Sequence, residues 1–313
     1  MSNVYVKTAS IWLLLSLLTA CAPRNEPAAN AAVSPSLDEH ATETARIREP
    51  LTRFFEPMIV QPGDWIESHP ENGETFEEYV RSGPTLPTTE RKTIYIQPIG
   101  KFTADQKQVI RLTADYMKAF YNLPVVLRDE IALGKVSDEQ SRVQYPNNRQ
   151  IRTSYFFDLL PKLLPADAAA LICFTNYDLY PEDTWNYVFG QASLENRIGV
   201  WSLWRLEKEN GKPANKDLFL DRTLKVAMHE TGHMFSMRHC TKFECLMSGT
   251  NHLGETDRRP LDTCPECTAK IVWGMNYDVG KRYKRLAGFW KKQGRTKEHD
   301  SMLQKARAIA AIK

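Results

Sequence analysis

Hydrophobic and polar residues alternate through Thr93-Ile94-Tyr95-Ile96-Gln97, the period of a strand, and Pro98 with Gly100 ends it. The period then lengthens. Val109, Leu112, Tyr116 and Phe120 recur at helical spacing behind a Thr103/Gln106 capping-box pair, so a helix follows the first strand. Pro124 to Leu127 predicts a second strand, Thr153 to Leu160 a short helix, and the run Ala170-Leu171-Ile172-Cys173-Phe174 a buried strand. Tyr187 to Ala192 and Ile198 to Leu203 predict two more strands, and Asp221 to Phe235 a helix with Leu224, Ala227, Met228 and Phe235 apolar. Strand, helix, strand, helix and then three strands predict an α+β (α/β-like) fold, a mixed twisted sheet with helices packed on it.

Before residue 92 the pattern changes twice. An apolar run from Ile11 to Leu18, behind the single charge of Lys7, is too short to span a bilayer comfortably and reads as a targeting segment. It ends in Leu18-Thr19-Ala20-Cys21, which resembles the lipobox of bacterial lipoprotein signals. That resemblance implies cleavage before Cys21, acylation of Cys21 and, with Ala22 rather than Asp next, an outer-membrane protein of the cell envelope facing the periplasm. A plain secretory signal or an uncut anchor is the alternative. Residues 1–20 are thus expected to be a signal and residues 21–49 a flexible tether, because Pro23, Pro27 and Pro35 stand among polar residues with Val33, Leu37 and Ile47 as the sizeable apolar ones. Phe54, Phe55, Trp65, Phe76 and Tyr79 then predict an ordered N-terminal extension over residues 50–91.

With 42% hydrophobic and 25% charged residues over 313 positions, the chain can bury a core of ordinary size, which excludes a wholly disordered protein. A net charge of +3, with no phosphate loop, serine triad or base-stacking platform, argues against a nucleic-acid binder. The charge is uneven, since residues 281–313 hold eleven Lys/Arg and two acids. Such a basic stretch reads as a solvated helix face or as a contact for an anionic membrane.

The chemistry lies at the end of the last predicted helix, in His229-Glu230-Thr231-Gly232-His233. Residues four apart share a helix face, so His229 and His233 can aim at one zinc ion while Glu230 takes a proton from a zinc-bound water. On an unbroken helix His239 would rotate away; a turn after Phe235 would return it as a third ligand and leave one position for water, the composition of a catalytic zinc site. Cys240, Cys245, Cys264 and Cys267 form two close pairs whose spacing suits a closed four-thiolate zinc site, with two disulfides as the rival in an exported protein. Cys173, alone on an apolar strand, reads as a packed core thiol. His252 reads as a loop residue, His69 belongs to the extension, and Asp257-Arg258-Arg259 reads as a structural salt link.

These residues resemble the metzincin pattern H-E-x-x-H-x-x-G-x-x-H with its later Met-turn, and more closely the archaemetzincins, which add cysteines directly after the third histidine. The motif stands here as His229-Glu230-Thr231-Gly232-His233 through His239-Cys240, then Cys245-Leu246-Met247 and Cys264-Pro265-Glu266-Cys267. Further matches are Tyr95-Ile96-Gln97-Pro98-Ile99-Gly100, Asp178-Leu179-Tyr180-Pro181, Val188 to Ser193 and Arg258-Arg259-Pro260-Leu261, so the likeness runs from about Trp65 to about Leu286. It implies a catalytic zinc on His229, His233 and His239, Glu230 as general base, Met247 as a hydrophobic floor, and a second, structural zinc on the four cysteines. It also implies a metzincin-type catalytic subdomain over residues 92–239, with Phe189 to Ala192 as the sheet edge over the cleft. Residues 240–313 are then a smaller, zinc-stapled helical subdomain with the Met-turn and a basic helical tail. The expected activity is hydrolysis of a peptide or protein substrate by a lipid-anchored monomer; the alternative is a non-catalytic zinc module that binds peptides or partners. One residue departs from the pattern. Ser236 stands where the family has Gly, and a left-handed conformation there costs a residue with a Cβ roughly 1 kcal/mol.

Overall fold

The computed structural model describes residues 46–145 and 148–312. The signal segment, Cys21 and the tether up to residue 45 lie outside the described residues. The last tether residues are helical instead: α1 covers residues 46–52, and Ile47 and Leu51 are buried in the main core. The expected boundary at residue 49 is corrected accordingly. A lone apolar residue in a polar stretch can dock where a distant part of the fold offers a groove, and local composition does not record that groove.

The extension continues through α2 (Trp65–Ser68) and α3 (Phe76–Arg81) and is tied to the far end of the chain. Glu266 accepts from Arg48 at 2.8 Å and from the Phe76 amide at 2.5 Å, Glu74 pairs with Lys270 at 2.9 Å, and Asp64 with Arg258 at 2.6 Å. Then β1 (Thr93–Ile99) leads into α4 (Ala104–Tyr121), where Thr103 and Gln106 exchange both capping-box bonds. Next come β2 (Val125–Leu127), β3 (Ser141–Tyr145), β4 (Asn148–Arg152) and α5 (Thr153–Leu163). After these lie β5 (Ala168–Thr175), β6 (Asp178–Tyr180), β7 (Gly190–Ala192) and β8 (Ile198–Ser202).

The main sheet has the order β2-β1-β5-β8-β7. Its first four strands are parallel and β7 runs antiparallel on the edge, so the sheet is mixed. Along β5, Ala170, Ile172 and Phe174 enter the main core while Leu171 and Cys173 enter a second core under α5. Alternate side chains point to opposite faces, so an unbroken apolar run is what a sheet covered on both sides requires. Cys173 is fully buried there, as a packed thiol should be, and burial raises it well above the ordinary thiol range.

The structure departs from the sequence pattern in one strand and adds a sheet. The strand foreseen from Tyr187 shortens to Gly190–Ala192, because Val188 bridges to Leu179 instead. A three-stranded sheet of β3, β4 and β6 was not visible in the pattern. It forms around buried Asp178, which accepts from Arg205 at 2.8 and 2.7 Å, Gln150 at 2.8 Å and Asn148 at 3.1 Å. The basic stretch keeps most of its cations on a solvated helix face, with Lys281, Lys284, Arg285, Lys291, Lys292, Lys297 and Arg307 exposed. It forms α9 (Val279–Lys292) and α10 (Thr296–Ala310), which pack on each other, and buried Arg282 and Lys305 both grip buried Asp262, at 3.1 and 2.7 Å.

The helix with the histidine motif, α6 (Lys216–Met234), starts earlier than its pattern because Asn215 caps it, accepting from the Leu218 amide at 2.9 Å. Short α7 (Leu253–Arg258) and α8 (Pro265–Gly274) complete the helices. Among the described residues no helix is long and apolar enough to cross a membrane.

Candidate metal centre and cleft

The end of α6 decides where His239 goes. Ser236 has φ of +62°, its amide donates to the His233 carbonyl at 2.8 Å, and the Met237 amide donates to the Gly232 carbonyl at 3.0 Å. Those two bonds are a Schellman motif, with Ser236 in the left-handed position that Gly ordinarily fills. The serine hydroxyl has its own partners there, donating to the Leu194 carbonyl at 3.0 Å and accepting from the Thr85 amide at 2.9 Å. Reversed by this turn, the chain brings His239 back beside His229 and His233, with ring centroids 5.2 and 4.9 Å away.

The three imidazoles present ligand atoms within 4.8 Å of one another. His229 Nδ1 lies 2.9 Å from the Leu246 carbonyl and His233 Nδ1 2.7 Å from the Met237 carbonyl. A carbonyl can only accept, so each Nδ1 carries the proton and each Nε2 presents a lone pair. The two Nε2 atoms are 3.0 Å apart. Burial, with the neighbouring imidazoles, lowers His229 well below its ordinary value, and burial lowers His233 to about 4, so both rings are neutral at physiological pH. Two lone pairs facing each other at this distance repel unless a cation lies between them, so the donor set fits a divalent metal.

His239 Nδ1 meets a different kind of partner, the carboxylate of Glu71, at 2.9 and 3.0 Å. Burial raises the Glu71 carboxyl, but the hydrogen bonds from His239 and Trp65 outweigh it and hold the group below the usual glutamate value.

Glu230 faces the cleft beside the two helical histidines. Crowding by the surrounding protein pushes its carboxyl up to about 8; a nearby cation favours the ionised form and works in the opposite direction. The edge strand runs against it. A Cβ on Gly190 would sit 3.1 Å from Glu230 Cγ and 3.0 Å from Trp201 Cβ, so a glycine allows β7 to approach the site. Below α6, buried Met247 fills the space over Gly232, where a Cβ would lie 2.5 Å from the Met247 sulfur.

The cleft has a volume of about 870 Å³. Trp185, Val188 and Phe189 line it together with Trp65 and His69 from the extension. Trp65 stacks on His69 with centroids 3.9 Å apart and meets the His239 ring edge-on at 5.4 Å. His69, set apart from the site by the sequence reading, therefore belongs to the cleft wall. Trp65, Glu71 and Trp185 were not singled out for the site at all, and Glu71 lies 168 positions from the histidine it touches.

Behind the third histidine, the sulfurs of Cys240, Cys245, Cys264 and Cys267 all lie within 4.8 Å of one another. Cys240 and Cys264 are 3.7 Å apart, close to the edge of about 3.8 Å that a tetrahedron with metal–sulfur bonds of about 2.3 Å has. Cys245 Sγ also accepts from the amides of Met247 at 3.4 Å and Cys264 at 3.2 Å. Hydrogen bonds from Cys245, Cys264 and Cys267 favour the Cys240 thiolate. Adjacent His239 and Cys240 point to different clusters. A third group, Asp64, His252 and Glu255, also comes together, but Asp64 holds Arg258, Glu255 holds Arg259, and His252 caps α7 by accepting from the Glu255 amide at 3.1 Å. Arg222 pairs with Asp257 at 2.6 Å, so the stretch from Asp257 to Arg259 consists of structural ion pairs.

The model of peptidase family M54 matches residues 101–272, a range that holds the three histidines, Glu230 and the four clustered cysteines. Archaemetzincin-2 of Homo sapiens is 34% identical over 271 residues, covering 76% of this chain and 75% of that protein. Archaemetzincin-2 of Mus musculus is 33% identical over 270 residues, with the same coverage of 76% and 75%. Archaemetzincin-1 of Homo sapiens is 27% identical over 274 residues, 77% of this chain and 55% of that one. Among solved structures, the archaemetzincin of Methanopyrus kandleri shares the fold, with a TM-score of 0.50 and 22% identity, over 61% of this chain and 98% of its own.

Proposed function

Because the chain belongs to peptidase family M54, the archaemetzincins, and is a zinc metallopeptidase, we propose that His229, His233 and His239 hold its catalytic zinc and that Glu230 is the general base. The convergence of three imidazoles beside one carboxylate supports this reading above all. Zinc held there supplies a Lewis acid that polarises a scissile carbonyl and makes water nucleophilic near neutral pH. Glu230 accepts a proton from the attacking water on its carboxylate and hands it to the leaving amine. The substrate is a peptide lying along the free edge of β7, where backbone pairing holds it extended across the cleft. Met247 forms an apolar floor that fills the space left by Gly232 and keeps α6 and its histidines in place.

The four-cysteine cluster holds a second, structural zinc, and the part of the chain from residue 240 onward is the subdomain it staples. Cys21 carries a lipid anchor that keeps a monomeric enzyme at the cell envelope.

Glu230→Gln tests the chemistry. The amide cannot take the proton, so zinc content should be unchanged while kcat on a peptide library falls by about 10²- to 10⁴-fold. Equal turnover by the two proteins would remove Glu230 from the mechanism. For the anchor, Cys21→Ala should shift the protein from membrane to soluble fractions; membrane retention without acylation would point to an uncut signal or to the basic helices at the C-terminal end.

A further inference from the structure

We propose that Glu71, supplied by the N-terminal extension, is the positioning residue for the third zinc ligand. The inference rests on the three-histidine reading above. His229 and His233 stand on a helix, and each has its Nδ1 held by a backbone carbonyl from the loops just beyond that helix. His239 stands on a loop after the Ser236 turn and has neither support. Its Nδ1 is held by both carboxylate oxygens of Glu71 instead, at 2.9 and 3.0 Å. A carboxylate behind an imidazole fixes the tautomer, orients the ring and raises the basicity of the nitrogen that faces the metal.

Glu71 is itself held in place. The Trp65 indole N–H donates to Glu71 Oε1, and the Trp65 amide donates to Glu255 at 3.0 Å. Gly249 leaves open the space that the Trp65 indole occupies, and Gly73 does the same for the Thr241 side chain. The neighbouring ion pairs Asp64 with Arg258 and Glu74 with Lys270 pin the segment on both sides of Glu71. A chain segment fixed at so many points presents its carboxylate without further ordering cost, as a supporting residue must.

The test uses the full chain. Zinc affinity is measured by chelator competition, following the equivalent of zinc that His229→Ala removes, and the same site is loaded with cobalt for its visible spectrum. Glu71→Ala should weaken metal binding at that site by about 10- to 100-fold and shift the cobalt bands. At saturating zinc, kcat should fall with little change in KM. Glu71→Gln keeps an acceptor without the charge and should lie between Glu71→Ala and the parent protein. Glu77→Gln, on the same extension but paired with Arg48 away from the cleft, should match the parent in every readout. Parent-like zinc affinity and cobalt spectrum in Glu71→Ala, alongside weakened zinc in His239→Ala, would overturn the role of Glu71 and leave the three-histidine site standing. Unchanged zinc in His239→Ala would overturn both.

Discussion

At Ser236 two energies oppose each other. The left-handed backbone costs roughly 1 kcal/mol relative to glycine. Against that, the hydroxyl makes two hydrogen bonds, to Leu194 and from Thr85, each contributing about 0.5–1.5 kcal/mol. Reading Ser236 as strain that Gly would relieve accounts for the first energy and misses the second. Ser236→Gly should therefore unfold within about 1 kcal/mol of the parent protein, with zinc content unchanged. Ser236→Ala keeps the strain and loses both bonds, so it should be the least stable of the three by about 1–2 kcal/mol. Chemical denaturation of the three proteins checks the order. Equal stability of the Ala and Gly variants would mean that residue 236 is not left-handed in solution.

At the scale of elements, the position of α9 and α10 depends on Asp262. The loop before α8 carries this carboxylate into a buried space where Arg282 of α9 and Lys305 of α10 reach it from two helices. Burial disfavours the charged carboxyl, and the attraction of Lys305 and then Arg282 outweighs it, so Asp262 stays ionised. Asp262→Asn would leave two buried cations without their counter-charge and should cost about 3–5 kcal/mol in urea unfolding. A loss below about 1 kcal/mol would show that water reaches these cations in solution. The loop connects to the metal region as well, since the Leu246 amide donates to the Asp262 carbonyl at 3.1 Å, next to Met247 and Cys245.

For the whole molecule, the three-histidine and four-cysteine groups meet at His239 and Cys240, neighbours in sequence that belong to different groups. Two zinc ions per chain are expected from elemental analysis, with the clustered thiols reacting only after a chelator has stripped the metal. One zinc with four oxidised cysteines would instead favour disulfides. Cys264→Ala should lose the structural ion and much of the folding free energy its ligands gain from it. It should also weaken the histidine site, because Cys240 would no longer hold the loop that presents His239. An unchanged histidine site in Cys264→Ala would show that Glu71 and the Ser236 turn are sufficient to place the third ligand.

Features whose geometry repeats along the chain can be read from residue order. Four-residue spacing puts His229 and His233 on one helical face wherever that helix sits. The Thr103/Gln106 box, the buried β5 run and the close cysteine pairs are local in the same sense, whereas the turn at Ser236 was legible only through the likeness to a family that has Gly there. Packing alone sets what distant segments bring: Glu71 to His239, Thr85 to Ser236, Trp65 and Trp185 to the cleft, Asp178 at the centre of the small sheet, and Arg282 with Lys305 at Asp262. The entropy of closing a loop rises only slowly with its length, so a partner 168 residues away costs about 2 kcal/mol more than one about twenty residues away. Such a contact leaves no period or spacing in the chain, because its geometry is set by where whole elements pack.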